Sequence, residues 1–574
     1  MTARRTSPAL RALERLEAVA REYAPGLGAR KRTLLARLAR TALPSAGAVQ
    51  RLHEAATFLL AYPDDPRVHA AALALLRGFA ARRDVVRFAA ALVDSGIAGT
   101  AIRYRFFSRM AQWLVERAPG RLAIDWDALA GEDTSLLESL LPLFALPVEH
   151  PGLDEYDFGL REWLERMKRA AETDAEFVVR SITRLPASRA IQERLHDAVD
   201  VPMVLAWAPG GPTRTAVLAP SPARRARPWR PVVRTAPLAR ERPDLRAEAW
   251  RPPVAVRALD RATGERMVAL AREAMLTRQR DLDAFANADP RDARLVEYED
   301  GLAFVALGVQ PADRLLFESV YGFITLQNRV PIGYVLTSAL YGSCEIAYNV
   351  FDTFRGAEAA LVYARVVAMS RQLFGADTFT IYPYQLGEHN DEAIRSGAWW
   401  FYYKLGFRPR NRAVRRLVAR ELARMRRDPS HRSSDATLRR LAADNLYFHL
   451  GDERDDVIGL LPLASVGLAA TELLAARAGS DRGRAAPGLA DEARHALGLR
   501  SLAGWNADER AALERWAPLV PLLGARRWNA DDRAALAAVI RAKGGRRESE
   551  FVHRFDAHAK LRATLRTMAL RATP

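Results

Sequence analysis

A short run of small residues, at the junction of a predicted strand and a predicted helix, could bind phosphate. The strand ends at Val350, and the run is Arg355-Gly356-Ala357-Glu358-Ala359-Ala360. Backbone N–H groups at a helix start have no partner within the helix, and the helix dipole is positive there, so a pyrophosphate group can bind. Gly356 and the alanines let a ligand approach the backbone closely. The carboxylate of Glu358 opposes this chemistry because it repels phosphate.

The hydrophobic pattern predicts the elements that position this run. Two strand-like segments, 333–338 and 345–351, precede it, and a further strand is predicted over 377–384. Between them, a stripe of apolar residues predicts a helix packed on a sheet: Val362, Val366, Met369 and Leu373.

Upstream of these segments the same pattern predicts more strands. Residues 254–259 are predicted as a strand, 261–288 as a helix, and 302–309 and 315–327 as strands. The series is therefore strand, helix, several strands, helix, strand and helix.

A second motif lies in the predicted aromatic helix. Its residues are Ala398, Tyr402, Lys404, Gly406 and Phe407. Together with the loop residues Arg355, Gly356 and Ala360, this motif resembles the GNAT acetyltransferase superfamily over residues 253–411. Glu358 stands where the superfamily has a glycine, and Arg395 where it often has an asparagine.

The resemblance implies an acyl-CoA co-substrate, most simply acetyl-CoA, and no metal. It implies CoA contacts from Val350, Arg355, Gly356, Ala357, Glu358, Ala359 and Ala360. It also implies that Tyr402 is the general acid that protonates the departing thiolate. An acceptor amine with a pKa of about 10.4 must lose a proton before it attacks, so we expect a carboxylate near the strand that leads into the loop, 345–351, and Glu345 is the first choice.

Two residues also have structural interpretations. Residues 399–403 are five consecutive aromatics, so Tyr402 could instead be a core residue, and a flanking helical domain should cover this helix. Cys344 is interpreted as a small core residue, because no paired His and Asp suggests a covalent intermediate.

The composition indicates a folded protein without a disulfide framework. The 574 residues have a formal charge of +18 and a single cysteine, Cys344. Only five of the 86 basic residues are lysine. An arginine-rich composition can produce this net charge by itself, so the charge is weak evidence for polyanion binding. No signal peptide or membrane anchor is visible, and we expect a cytoplasmic protein.

The predicted fold class is α+β and multidomain. An all-α region over 1–207 is followed by a Pro/Arg-rich linker over 208–252. A GNAT-like domain with a mixed sheet and helices on both faces covers 253–411, and an all-α region covers 412–574. In the last region, Trp505-Asn506 recurs as Trp528-Asn529, each before a helical pattern, which predicts two helices capped by asparagine.

Three functional hypotheses follow. The first is an acyl-CoA-dependent N-acyltransferase in which an acceptor amine attacks the thioester directly. The second is a GNAT-like domain without activity, acting as a scaffold or ligand sensor, because of Glu358 and the aromatic helix. The third is an RNA- or tRNA-linked factor that binds nucleic acid through the basic segment 221–251.

Overall fold

The structure is a computed structural model and describes residues 7–220, 229–239, 241–280, 282–356 and 358–571. The chain divides into two compact units. The first comprises residues up to 237 together with 266–287 and 327–331, and the second comprises 238–265, 288–326 and 332–574. The prediction differs, because it assigns 266–287 and 327–331 to a continuous domain over 253–411.

The first unit is mainly helical. Its helices before residue 200 are α1 (Pro8–Ala20), α2 (Leu27–Ala39), α3 (Ala46–Ala61), α4 (Pro66–Arg77), α5 (Arg83–Arg87), α6 (Ser108–Arg117), α7 (Gly131–Ser139), α8 (Leu141–Phe144), α9 (His150–Glu155), α10 (Leu160–Met167), α11 (Asp174–Arg184) and α12 (Arg189–Val199). Local signals start several of them. Ser7 caps α1 and precedes Pro8 at its first position, and Thr173 forms a capping box with Glu176 at α11.

The prediction that residues 1–207 are all-α is wrong. Strands β1 (Ile102–Tyr104), β2 (Leu122–Ile124) and β3 (Met203–Leu205) form an antiparallel sheet in the order β1-β3-β2. Each strand has only three residues, which is too short for the alternation that identifies a strand in sequence.

The second unit carries a large mixed sheet. Along the chain, α13 (Leu245–Glu248) precedes this sheet. Helices α14 (Arg261–Leu276) and α15 (Asp283–Ala286) come between its first and second strands in sequence, and their residues from 266 onward belong to the first unit. The strands of the sheet are β4 (Ala255–Ala258), β5 (Ala288–Glu297), β6 (Leu302–Val309), β7 (Ser319–Gln327), β8 (Val330–Leu340), β9 (Ser343–Val350), β10 (Thr378–Ile381), β11 (Arg408–Pro409) and β12 (Leu446–His449). In the described part of the chain their order is β11-β12-β10-β9-β8-β7-β6-β5-β4.

The helices of the second unit follow β9. They are α16 (Ala359–Phe374), α17 (Pro383–Leu386), α18 (Asp391–Ser396), α19 (Ala398–Lys404), α20 (Arg412–Arg427), α21 (Asp435–Leu441), α22 (Ala464–Ala478), α23 (Arg482–Ala496), α24 (Ala507–Trp516), α25 (Leu519–Leu522), α26 (Ala530–Lys543), α27 (Glu548–Ala557) and α28 (Ala559–Ala569). The apolar stripe of α16 lies in one core cluster with Cys344 and Ile346 of β9 and Phe379 of β10, so this helix packs on the sheet as predicted.

The region 412–574 is also not all-α, because β12 belongs to the large sheet. It pairs antiparallel with β10 on one side and with β11 on the other. A strand from beyond residue 411 therefore completes the predicted central domain. The two asparagine caps are confirmed: Asn506 accepts from the backbone N–H of Glu509, and Asn529 accepts from that of Asp532.

Apart from α13, the described part of the segment 208–252 has no helix or strand, and it makes specific contacts within each unit. In the first unit, the backbone N–H of Ala219 donates to the carbonyl of Arg329 at 2.8 Å, and Asn328 exchanges hydrogen bonds with the backbone of Val232. In the second unit, Leu245 and Ala249 are buried in the core that contains α16. Arg224, Arg225 and Arg227 lie outside the described residues. Among the described residues, no helix is both long and apolar enough to cross a membrane.

Candidate active site

The parallel strands β9 and β10 pair over only part of β9. Their register joins Ser343 to Thr378, Cys344 to Phe379 and Glu345 to Thr380. Strand β9 then continues for five residues to Val350, still paired with β8 on its other side. Within the described residues, the parallel pairing of β9 with β10 therefore ends at Glu345, and residues 346–350 of β9 lie outside it.

A row of polar side chains crosses the sheet at the end of this pairing. Ser338 of β8 lies opposite Glu345, Glu345 lies opposite Thr380, and Thr380 lies opposite Tyr447 of β12. Cross-strand partners project from the same face, so the four side chains are neighbours. Tyr447 could not be found as a site residue from sequence, because its strand lies outside the region of resemblance.

Glu345 has the electrostatics of a base that works near neutral pH. Burial, and then the negative charge of Glu318, raise the pKa of Glu345 to about 7. Glu318 in turn accepts a hydrogen bond from the hydroxyl of Ser338 at 2.5 Å. A carboxylate with this pKa is present in both protonation states at pH 7, which suits proton transfer.

Tyr402 lies among aromatic rings in the core. Its side chain is 3% exposed, and its ring meets that of Tyr363 edge-on at 5.4 Å and that of Phe407 at 5.8 Å. Burial raises the pKa of Tyr402, so its hydroxyl stays protonated at neutral pH and is a weaker acid than an exposed tyrosine. The structure thus gives Tyr402 the core packing of its alternative interpretation.

Glu345 and Tyr402 lie toward different faces of the sheet. Cys344 and Ile346, which flank Glu345 on β9, are buried in the core shared with α16. Side chains alternate along a strand, so Glu345 projects from the opposite face. Tyr402 contacts Tyr363 of α16 and so belongs to the α16 side. The residues of β9 beyond Glu345 project their side chains alternately toward these two faces.

The predicted phosphate loop forms a strained turn before α16. Gly356 has φ +76° and Glu358, at the N-cap, has φ +51°. The guanidinium of Arg355 pairs with Asp352 at 2.8 Å and also contacts Glu392. The backbone N–H of Ala239 donates to the Glu358 carboxylate at 3.0 Å. Ala357 lies outside the described residues.

The remaining predicted loop residues lie at the two ends of this turn. Val350 ends β9, and Ala359 and Ala360 are the first residues of α16, where no side chain caps the helix. The carbonyl of Ala359 accepts from the hydroxyl of Tyr348 at 3.3 Å. A short 3₁₀ helix (Asp352–Phe354) lies between the end of β9 and the turn that leads into α16.

A pocket of about 840 Å³ opens beside the start of α16. Ala360 lines it together with residues of α18, α19 and the segment 425–438. Four of its lining residues are cationic side chains: Arg242, Arg395, Lys404 and Arg432. The sequence did not predict that these four cations share one pocket, because Arg242 and Arg432 are far along the chain from Arg395 and Lys404.

Cys344 is buried, and burial raises the pKa of its thiol to about 12, which keeps it protonated. This agrees with its interpretation as a core residue. Within the described residues, no group of three or more His, Cys, Asp or Glu side chains is arranged to hold a metal ion.

No protein-family model, curated protein or solved structure matches this chain.

Proposed function

We propose that this chain is an acyl-CoA-dependent N-acyltransferase with a GNAT-like sheet. The observation that carries the proposal is the parting of β9 and β10 after Glu345, on the strand that leads along the chain into the turn before α16. The pantetheine arm of CoA contains amide groups, which can pair with the part of β9 beyond Glu345 as an added strand would. The acyl thioester then lies near Glu345, and the phosphates lie near the start of α16.

In the proposed reaction, Glu345 acts first. Its carboxylate takes a proton from the acceptor ammonium, and the free amine attacks the thioester carbonyl carbon. The tetrahedral intermediate collapses as the bond from carbon to sulfur breaks. The nitrogen of the intermediate gives its second proton to solvent, and the CoA thiolate takes a proton from Tyr402. Tyr402 is then reprotonated from solvent and Glu345 releases its proton to solvent, so the products are an amide and free CoA.

The carboxylates also suggest what kind of acceptor is used. Glu345 is half-buried next to Glu318 on the face away from α16. A cationic amine would reduce the repulsion between these two carboxylates as it binds. A primary or secondary amine is therefore the acceptor that we propose.

Two observations favour a second candidate, a scaffold or ligand sensor without turnover. The ring of Tyr402 is packed in the core, and the charge of Arg355 is shared with two carboxylates. On this view the domain binds an acyl-CoA or a related ligand without transferring the acyl group.

Titration of the full chain with acetyl-CoA, together with thiol release in the presence of a panel of amines, tests the proposal. Gly356→Glu adds a carboxylate and backbone strain at the turn, so we expect at least a tenfold loss of acetyl-CoA affinity. Gly120→Glu is the matched control, because Gly120 also has positive φ and a Cβ there meets open space. Binding without thiol release would favour the sensor, and absence of binding to folded protein would contradict the proposal.

A further inference from the structure

We propose that the pocket beside α16 binds a phosphate group through Lys404, Arg242 and Arg432, with Arg395 at its rim. We call it the cationic pocket. Its ligand is a phosphomonoester or diphosphate, and identifying that ligand as CoA rests on the proposed function. The site is distinct from the described residues of the turn, because Arg355, Gly356 and Glu358 do not line the pocket.

Three cationic side chains meet at the pocket without an acidic partner in the described part of the chain. Lys404 of α19, Arg242 from the segment before α13, and Arg432 from the segment between α20 and α21 meet at one pocket. Burial and then the charges of Arg242 and Arg432 lower the pKa of Lys404. Among the described residues, no carboxylate forms an ion pair with any of these three cations, although Asp435 also lines the pocket. A bound anion would relieve this repulsion.

Hydrogen bonds within the protein hold the segment that carries Arg432 in place. Glu421 of α20 is 1% exposed. Its carboxylate accepts from the hydroxyl of Ser433 at 2.7 Å and lies 3.1 Å from Nε2 of His431. Ser433 also accepts from the indole Nε1 of Trp400 at 3.1 Å, which ties the segment to α19.

The guanidinium of Arg432 is itself oriented. Its NH1 group donates to the carbonyls of Pro429 at 3.0 Å and His431 at 2.9 Å. Carbonyl partners fix the plane of the side chain but leave its charge uncompensated. A planar guanidinium can then bind phosphate oxygens in a fork, while the Lys404 ammonium acts as a point charge.

The volume and lining of the pocket fit a ligand larger than inorganic phosphate. Trp400 and Phe401 of α19 provide aromatic surface in a pocket of about 840 Å³. Aromatic rings beside cations suit a phosphorylated molecule that also carries a planar or apolar part.

The test is calorimetric titration of the full chain with three probes: inorganic pyrophosphate, CoA and 3′-dephospho-CoA. The main variant is Lys404→Gln with Arg432→Gln, and a second variant is Arg242→Gln, an exposed residue whose change should not disturb folding. Arg420→Gln, an exposed arginine on α20 outside the pocket, is the matched control. Far-UV circular dichroism and thermal unfolding verify that each variant is folded.

We expect pyrophosphate to bind, with affinity falling at least tenfold in the double variant, several-fold in Arg242→Gln, and unchanged in Arg420→Gln. If CoA shows the same loss, CoA is the ligand; a smaller loss for 3′-dephospho-CoA would assign the pocket to the 3′-phosphate. If pyrophosphate binds in this pattern but CoA does not bind, the phosphate site stands and the proposed function fails. No phosphate probe binding to wild type, or equal affinity in the folded double variant, would overturn the inference.

Discussion

Glu345 lies opposite Thr380 in the last residue pair of the parallel register between β9 and β10. The strand pairing ends at the residue whose pKa is raised to about 7. This coincidence puts a titrating carboxylate at the point where the pairing ends, where a substrate with amide groups could extend the sheet.

The first prediction concerns the dependence of turnover on pH. Glu345 must be ionised to accept a proton, so kcat/KM should rise with pH through an inflection near the folded-state pKa of about 7. Glu345→Gln should lower kcat roughly 100-fold and remove this inflection. The measurement is thiol release over pH 5 to 9; an inflection retained in the variant would assign it to another group.

Glu318→Gln gives a directional control for this assignment. Removing the charge of Glu318 removes the second cause of the raised pKa of Glu345, so the inflection should move to lower pH. Burial still acts on Glu345, and the inflection should therefore stay above about 4.3, the usual pKa of Glu. Movement toward higher pH would contradict the assigned repulsion.

The second prediction separates the acid role of Tyr402 from its packing role. Tyr402→Phe keeps the ring contacts with Tyr363 and Phe407, so the free energy of unfolding should change by less than about 1.5 kcal/mol. If Tyr402 donates the proton, kcat should fall roughly 10- to 100-fold with unchanged KM. Tyr402→Ala is the packing control and should cost about 3–5 kcal/mol. Full turnover in a folded Tyr402→Phe variant would leave Tyr402 as a core residue only.

The third prediction concerns stability and pH at the turn between β8 and β9. The half-buried carboxylate of Asp556 accepts from the backbone N–H groups of Tyr341 and Gly342, both at 2.8 Å. Burial raises its pKa from 3.8 to about 6, although these hydrogen bonds lower it. The native state therefore binds more protons than the unfolded state between these two values. The stabilisation from Asp556 is complete below the unfolded pKa and is lost as pH rises through about 6.

Asp556→Asn removes this titration. The free energy of unfolding of wild type minus that of the variant should fall by roughly 2 kcal/mol between pH 4 and pH 6.5. Urea unfolding at several pH values measures this difference. A difference that rises with pH would show that the hydrogen bonds, rather than burial, dominate the native-state pKa.

The fourth prediction tests the hypothesis that the segment 221–251 binds RNA. Binding through this segment should weaken linearly with the logarithm of salt concentration. Replacing its first four arginines, Arg224, Arg225, Arg227 and Arg230, by glutamine should reduce the salt slope by about 3 for single-stranded RNA. Fluorescence anisotropy with a labelled RNA measures the slope. Arg246 and Arg251 are left unchanged because they bond to His449 and Glu299 within the second unit.

Much of the local structure follows from nearby residues. The strand predicted over 302–309 has the bounds of β6, and Asn506 and Asn529 cap their helices. A cap joins residues three positions apart, and an apolar strand needs only its own side chains to be recognised. Helix caps and apolar strands of this kind can therefore be predicted from the sequence.

Strand β5 shows why other elements were missed. It contains Pro290 and two buried aspartates, which are poor strand formers, and it falls partly inside the predicted helix 261–288. Asp292 is accommodated by distant partners: it accepts from the hydroxyl of Tyr321 at 2.5 Å and from the backbone N–H of Glu548 at 3.1 Å. A local sequence pattern around Asp292 cannot predict hydrogen-bond partners as distant along the chain as Tyr321 and Glu548.

The sequence by itself determined the strand, turn and helix around residues 345–374 and proposed Glu345 and Tyr402, because periodicity and loop composition are local properties. Only the tertiary structure decided that β9 and β10 part after Glu345 and that β12 fills the sheet beyond β10. It also decided that Lys404 meets Arg242 and Arg432 at one pocket. These features depend on charges and strand edges from segments that are distant in sequence. Their electrostatic and hydrogen-bond energies arise only when folding brings those segments together.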